Sequence, residues 1–231
     1  VVLDTDRDGS PNESDSDDDN DGVVDTLEEH YGTNTLNAGD YPQPYIDVSL
    51  NSPYYIPTLL LDYYGIAEGC AAAEICADQV MQRDTAAIWL IKAYEGSAYS
   101  PPGATGTVFA DIATDTFAAD FIEDLKLHSG TVGCDDSLPP NYCPQQALTK
   151  TQAVKMLLKT KYGAGYSPSL PSGAIFDDVS TDTFAAGFIE ALQAEGSAEG
   201  CSDSPPLSCP GEMLTRGGFA KMLANTFGLM P

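Results

Sequence analysis

Three times in this chain the same short sequence starts over, and a cysteine follows each start by 25 residues. The starts are Tyr45-Ile46-Asp47-Val48, Phe109-Ala110-Asp111-Ile112 and Phe176-Asp177-Asp178-Val179, and the cysteines are Cys70, Cys134 and Cys201. A second cysteine comes at Cys76, Cys143 and Cys209, and five residues later Met81, Leu148 and Leu214 each open an apolar-periodic stretch. Only the distance between paired cysteines varies. A recurrence of this length is one supersecondary unit used three times, and a single such unit cannot bury its apolar face alone. The pattern therefore predicts three units sharing one core, a scaffold or binding module before an enzyme.

Within each unit the periodicity reads as helix, cysteine-clipped loop, helix. Phe117, Phe121, Ile122 and Leu125 have the spacing of an amphipathic stripe, repeated at Phe184, Phe188, Ile189 and Leu192. Asp115, or Thr114 beside it, is the expected N-cap of that first helix. Thr149 and Thr215 are the expected N-caps of the second helices, and the first unit's second helix is expected from about Arg83. Pro53 and Pro57 move the first unit's first helix to a start near Pro57, since proline fits only a first turn. The units divide as residues 41–98, 99–165 and 166–231, after an arm over 1–40.

The chain carries 35 acidic and 10 basic residues, a net charge of −25. Neutralising phosphate needs clustered Lys and Arg, so the charge balance argues against nucleic acid or anionic lipid as partners. Cations, calcium above all, are favoured. The three short-range pairs, Cys70 with Cys76, Cys134 with Cys143 and Cys201 with Cys209, point to disulfides and an oxidising compartment. No run of 18 apolar residues exists to form a transmembrane helix. The chain opens at Val1 without an initiator Met, which predicts a processed product or a fragment.

Thirteen acidic residues fall in the first 40 positions, against a single Arg7. Asp17, Asp19 and Asp21 alternate, Gly22 follows, and Glu28 stands at the twelfth position, which meets the fixed positions of the EF-hand calcium loop. In that pattern Val23 supplies a backbone carbonyl, Asp25 the ninth position and Glu28 a bidentate carboxylate. Upstream the spacing begins again with Asp4, Asp6, Asp8 and Gly9, and ends on Asp15. The tandem, with almost no helix between its loops, resembles thrombospondin type 3 calcium repeats. That resemblance implies an extracellular, calcium-stiffened spacer, disordered without the ion.

The repeat starts, the glycines before the first cysteines (Gly69, Gly133, Gly200) and Leu214-Thr215-Arg216 resemble the S-layer homology domain over roughly residues 45–228. The resemblance implies an all-α fold, three helix–loop–helix repeats in a pseudo-threefold bundle, preceded here by an irregular calcium-binding arm. It also implies binding of cell-wall polysaccharide through Asp47, Asp111 and Asp178 and through Arg83, Lys150 and Arg216. The competing expectation for the aspartates is a helix or turn cap, and for the cations a pairing with local carboxylates. The family's first-helix tryptophan is replaced by Pro53, Phe117 and Phe184.

Tyr41, Tyr45, Tyr54, Tyr55, Tyr63 and Tyr64 crowd one proline-rich stretch, either an outward docking segment or packing against the chain's own bundle. Trp89 is expected in the core, and His128 at a helix C-terminus. No nucleophile elbow, phosphate loop or zinc-protease motif occurs, and the expectation is that the chain is not an enzyme. The leading expectation is an extracellular or bacterial cell-surface structural protein that self-assembles into a layer or fibre. The alternatives are a monomeric anchor binding cell-wall polysaccharide, and an accessory domain of an exported hydrolase.

Overall fold

The computed structural model describes residues 3–198 and 200–230; Val1, where the chain opens, lies outside them. The described chain is mostly helical, as the periodicity predicts. Its helices are α1 (Asp25–Tyr31), α2 (Tyr55–Tyr63), α3 (Arg83–Glu95), α4 (Ala119–Ser129), α5 (Lys150–Tyr162), α6 (Ala186–Ala194) and α7 (Arg216–Phe227). Ser202–Asp203 and Pro206–Leu207 pair as a two-residue antiparallel hairpin, β1 and β2. No helix among the described residues is long and apolar enough to cross a membrane.

The second helices start where their caps dictate. Thr149 accepts from the Gln152 amide while the Gln152 side chain accepts from the Thr149 amide, a reciprocal capping box. Thr215 accepts from the Gly218 amide at 3.1 Å. Helix α2 starts at Tyr55, so Pro57 sits in the first turn, where backbone donors lack helical partners anyway. The first helices of the later units depart from expectation. Neither Asp115 nor Thr114 caps α4; instead Thr116 Oγ1 accepts from the Ala113 amide at 2.9 Å, and Thr183 Oγ1 from the Ser180 amide at 2.9 Å. Ala118 and Ala185 then take left-handed φ of 60° and 59°, and the helices begin one residue later. That turn throws Phe117 and Phe184 outward, 64% and 66% exposed, off the stripe they were expected to head.

Packing runs in a ring. Helices α3, α5 and α7 touch one another, while α4 packs on α3, α6 on α5 and α2 on α7. At the centre three backbone hydrogen bonds close a cycle: the Met81 amide donates to Leu214, Leu214 to Leu148, and Leu148 back to Met81, at 2.8–2.9 Å. All three side chains are buried, so the cycle is sealed from water. One core cluster runs from Val23 to Ala224 and holds Trp89, Phe219 and Leu157; Phe176, Val179, Ala186 and Ile189 form a smaller one.

The arm is part of this packing. Val23 and Leu27 are fully buried in the main cluster, and the Tyr31 and Tyr45 hydroxyls converge on the two oxygens of Asp62, at 2.6 and 2.9 Å. Burial and that carboxylate push both phenol pKa values up. Tyr55 hydrogen-bonds the Pro42 carbonyl, and Tyr41, Tyr54, Tyr63 and Tyr64 line the same core. The tyrosine stretch thus packs against its own bundle.

Candidate functional site

The arm builds two loops with one backbone signature. Residues four and six of each, Arg7 and Gly9, then Asn20 and Gly22, all have positive φ (65°, 103°, 56° and 91°). In the first loop Asp6 Oδ1 accepts from the Asp8 amide and Asp8 Oδ1 from the Ser10 amide; in the second Asp19 Oδ1 accepts from the Asp21 amide and Asp21 Oδ1 from the Val23 amide. These turns aim alternate carboxylates inward. Asp4, Asp6 and Asp8 converge with oxygens within 4.8 Å of one another, and so do Asp17, Asp19 and Asp21. Either group can hold a metal ion.

The second loop is closed by α1. Val23 anchors it to the core, Asp25 opens the helix, and Glu28 lies on its buried face at 0% exposure. Burial, then the nearby charges of Asp19 and Asp21, push the Glu28 pKa up to about 7. Asp17 and Asp19 shift upward too, chiefly by burial. Asp19 Oδ2, Asp21 Oδ2 and Glu28 Oε2 are buried without a hydrogen-bond partner. Such oxygens are costly unless something positive meets them. All are hard carboxylate donors, the set that calcium takes. Sequence spacing identified Asp17, Asp19, Asp21 and Glu28; it missed Asp18, which is 8% exposed and carries a further unpartnered oxygen. Its only signal in the sequence was the unbroken run Asp17-Asp18-Asp19.

Cysteine geometry follows the expected pairs. Cys70–Cys76, Cys134–Cys143 and Cys201–Cys209 are disulfides with Cα separations of 6.0, 6.0 and 5.9 Å. The glycine before each first cysteine has a steric reason. A Cβ on Gly69 would meet the Glu74 carbonyl oxygen at 2.4 Å, on Gly133 that of Asn141 at 2.3 Å, and on Gly200 that of Leu207 at 2.7 Å.

The repeat-start aspartates staple these loops. Asp47 accepts from the Ile75 and Ala77 amides, Asp111 from Tyr142 and Cys143, and Asp178 from Ser208 and Cys209. Each staple grips the chain beside a second cysteine held at positive φ, 55°, 57° and 51°. Here the capping alternative describes the contacts, with both oxygens of each carboxylate engaged.

Arg83 and Arg216 are buried braces between units, not surface cations paired with carboxylates. Arg83 Nε donates to the Tyr142 carbonyl at 2.7 Å and its guanidinium lies 4.6 Å from the Tyr142 ring. Arg216 Nε donates to Ile75 and Nη2 to Glu68, with its guanidinium 4.8 Å from the Trp89 ring. Lys150, at the matching place, forms an ion pair with Glu212 at 3.2 Å.

Two clefts of like construction open beside these braces. One, about 160 Å³, is lined by Arg83, Gly133, Gln152, Lys155, Lys159 and Phe184. The other, about 420 Å³, is lined by Arg216, Gly69, Thr85, Ile88, Trp89 and Phe117. Each joins a brace arginine, the glycine of a cysteine loop and an outward phenylalanine. The first adds Lys155, 5.2 Å from the Phe184 ring, and has no carboxylate among its lining residues, which sets it apart in a chain of net −25. Arg83 Nη2 is buried without a partner. No protein-family model matches this chain, and a search of curated proteins found no similar sequence.

Proposed function

We propose that this chain is an extracellular, calcium-binding structural module of a cell surface, an S-layer-homology-like bundle in three repeats with a calcium-stiffened arm. The observation that carries the calcium reading is the convergence of the Asp17, Asp19 and Asp21 carboxylates, with Asp19 Oδ2, Asp21 Oδ2 and the Oε2 of Glu28 beside them buried and unpartnered. Asp17, Asp19, Asp21, the Val23 carbonyl, Asp25 and Glu28 hold the ion of the second loop. Asp4, Asp6, Asp8 and Asp15 hold that of the first. The ion supplies the positive charge that lets these carboxylates stay ionised in a folded arm. The cyclic hydrogen bonds of Met81, Leu148 and Leu214, and the ring of helix contacts, support the pseudo-threefold reading of the bundle. Isothermal titration of the parent chain with calcium, against Glu28→Gln, tests the site: the variant should lose the second-loop ion. A parent chain that takes up no calcium at millimolar concentration defeats the reading.

Through the Phe184 cleft the module binds cell-wall polysaccharide. The cationic lining of the Phe184 cleft favours this anchoring reading. Pull-down with purified cell wall should be lost in Phe184→Ala and Lys155→Ala, both on the surface side of the cleft. Arg83→Ala and Arg216→Ala are poor tests, since each also removes a brace between units. Self-assembly into a layer or fibre is the second reading. Leu138 and Val132, 96% and 66% exposed in and just before one cysteine loop, favour it, although the tyrosine segment packs against the chain's own bundle.

A further inference from the structure

Nineteen residues after each repeat start stand Tyr64, His128 and Glu195. Each fastens the end of a first helix to the end of a neighbouring second helix. The Tyr64 hydroxyl donates to the Met230 carbonyl, beyond α7. Glu195 accepts from Lys161 and from the Tyr162 hydroxyl at the end of α5, both at 2.9 Å. His128 Nε2 lies 2.9 Å from Glu95 Oε1 at the end of α3. These are the three outer pairs of the ring, α2 on α7, α6 on α5 and α4 on α3. One placement is built from three chemistries, and of these side chains only imidazole ordinarily changes charge between about pH 5 and 8.

The surroundings of the His128 ring favour its charged form. Nε2 faces the Glu95 carboxylate and Nδ1 faces the Asp124 backbone carbonyl at 3.0 Å, and both of these groups accept. A neutral ring has one N–H and can meet one of them; the imidazolium has two and meets both. Asp124 Oδ2 lies 3.6 Å from Nδ1, within ion-pair reach but beyond a hydrogen bond, and it is buried without a hydrogen-bond partner. The ring also sits in the last turn of α4, where the helix dipole favours a cation. Around it, the Tyr94 ring of α3 packs edge-on at 5.2 Å, Tyr99 after α3 faces Asp124, and Lys155 and Lys159 of α5 line the cleft beyond Ser129. Residues 129–133, which follow the ring directly, form one wall of the Phe184 cleft, and Lys126 Nζ ties that wall to α4 by donating to the Thr131 carbonyl at 2.7 Å.

We propose that His128 is a pH-sensitive clasp between the first and second units: charged, it holds the end of α4 and the cleft wall at 129–133 against α3; neutral, it lets them loosen. The consequence for polysaccharide rests on the anchoring reading of that cleft, while the clasp itself does not. The charged ring finds these partners in the folded state alone, so its stabilisation is full at acid pH and is lost as pH rises through the histidine range.

The test is hydrogen exchange with mass spectrometry on the intact, disulfide-bonded chain at about pH 5.5 and about pH 8, either side of the histidine range, corrected for the intrinsic pH dependence of exchange. Protection of residues 119–133 should fall about fivefold between the two, the size expected of a cation at a helix C-terminus. His128→Gln keeps a donor toward Glu95 but does not titrate, and it should abolish the change. Glu95→Gln, on the other helix, should reduce it, so the result does not hang on the folding of one variant. The α5–α6 pair, clasped through Lys161, should show no such change. Unchanged protection of 119–133 in the parent, or a change that persists in His128→Gln, overturns the clasp. Retention on purified cell wall at the same two pH values tests the link to the cleft. It should weaken at the higher pH in the parent and not in His128→Gln; retention that follows pH alike in both overturns the link. No retention at either pH, with the exchange change intact, defeats the anchoring reading and the link with it, and leaves the clasp standing.

Discussion

On the proposed calcium reading, Glu28 ties metal binding to pH. Burial and the charges of Asp19 and Asp21 hold its pKa near 7 when no cation opposes them. Its folded pKa therefore exceeds the unfolded carboxylate value of about 4.3. Without metal, the stability from this group is full below the unfolded pKa and is lost as pH rises through 7. Calcium needs the ionised form, so binding should release a proton below pH 7, and apparent affinity should fall as pH drops from 7 to 5. Calorimetry at pH 6 in buffers of different ionisation enthalpy reads that proton directly, and Glu28→Gln should abolish it. Enthalpies independent of buffer would sink the argument. The staple aspartates make a second prediction at this scale. Asp111 accepts from two amides at 2.6 and 2.7 Å, yet it is exposed, so Asp111→Ala should cost only about 1–2 kcal/mol, below the full value of two charge-assisted bonds. Chemical denaturation measures it, and the loss should show as faster reduction of the Cys134–Cys143 bridge.

Among the elements, what was legible followed local chemistry. Thr149 and Thr215 cap because a threonine just before an apolar stripe can accept from a first-turn amide that has no partner within the helix, and Thr149→Ala should cost about 1 kcal/mol in thermal or denaturant melts. The convergence of Asp17, Asp19 and Asp21 beside the positive-φ Gly22 was legible because alternate positions of a tight turn point to one side. What escaped was one local turn and a set of contacts with distant partners. Phe117 fits an apolar stripe by spacing, but the turn closed by Thr116 and the left-handed Ala118 put it outside the helix. The burial of Asp18, the seating of Tyr31 and Tyr45 on Asp62, and the reach of Arg83 and Arg216 into neighbouring units are tertiary, and no local pattern encodes them. Gly217 is of this kind as well: a Cβ there would lie 2.5 Å from Tyr54 Cδ2. Gly217→Ala must push the Tyr54 ring away, and overpacking of this sort costs roughly 1–3 kcal/mol. Since α2 packs on α7 at this point, exchange protection of α2 should drop more than that of α4.

For the whole molecule the placement of the arm decides what the proposed ion would do. A free spacer would order and disorder on its own, leaving the bundle indifferent to chelator. Here Val23 and Leu27 sit in the common core, α1 leans on α2 through Tyr31 and Asp62, and Tyr55 lies close enough to feel the charges of Asp21 and Glu28. Without a cation the second loop's carboxylates repel one another at the edge of that core. The expected response is local release of α1 at a free-energy cost below global unfolding, with the ring of α3, α5 and α7 intact. Calcium at a hundred times its dissociation constant would add about 2.7 kcal/mol against that release. Hydrogen exchange with mass spectrometry separates the two pictures. In excess chelator, residues 23–31 and 55–63 should lose protection together while α5 and α7 keep theirs. If 55–63 stay protected while 23–31 exchange freely, the arm is a spacer after all, and calcium acts only on the arm.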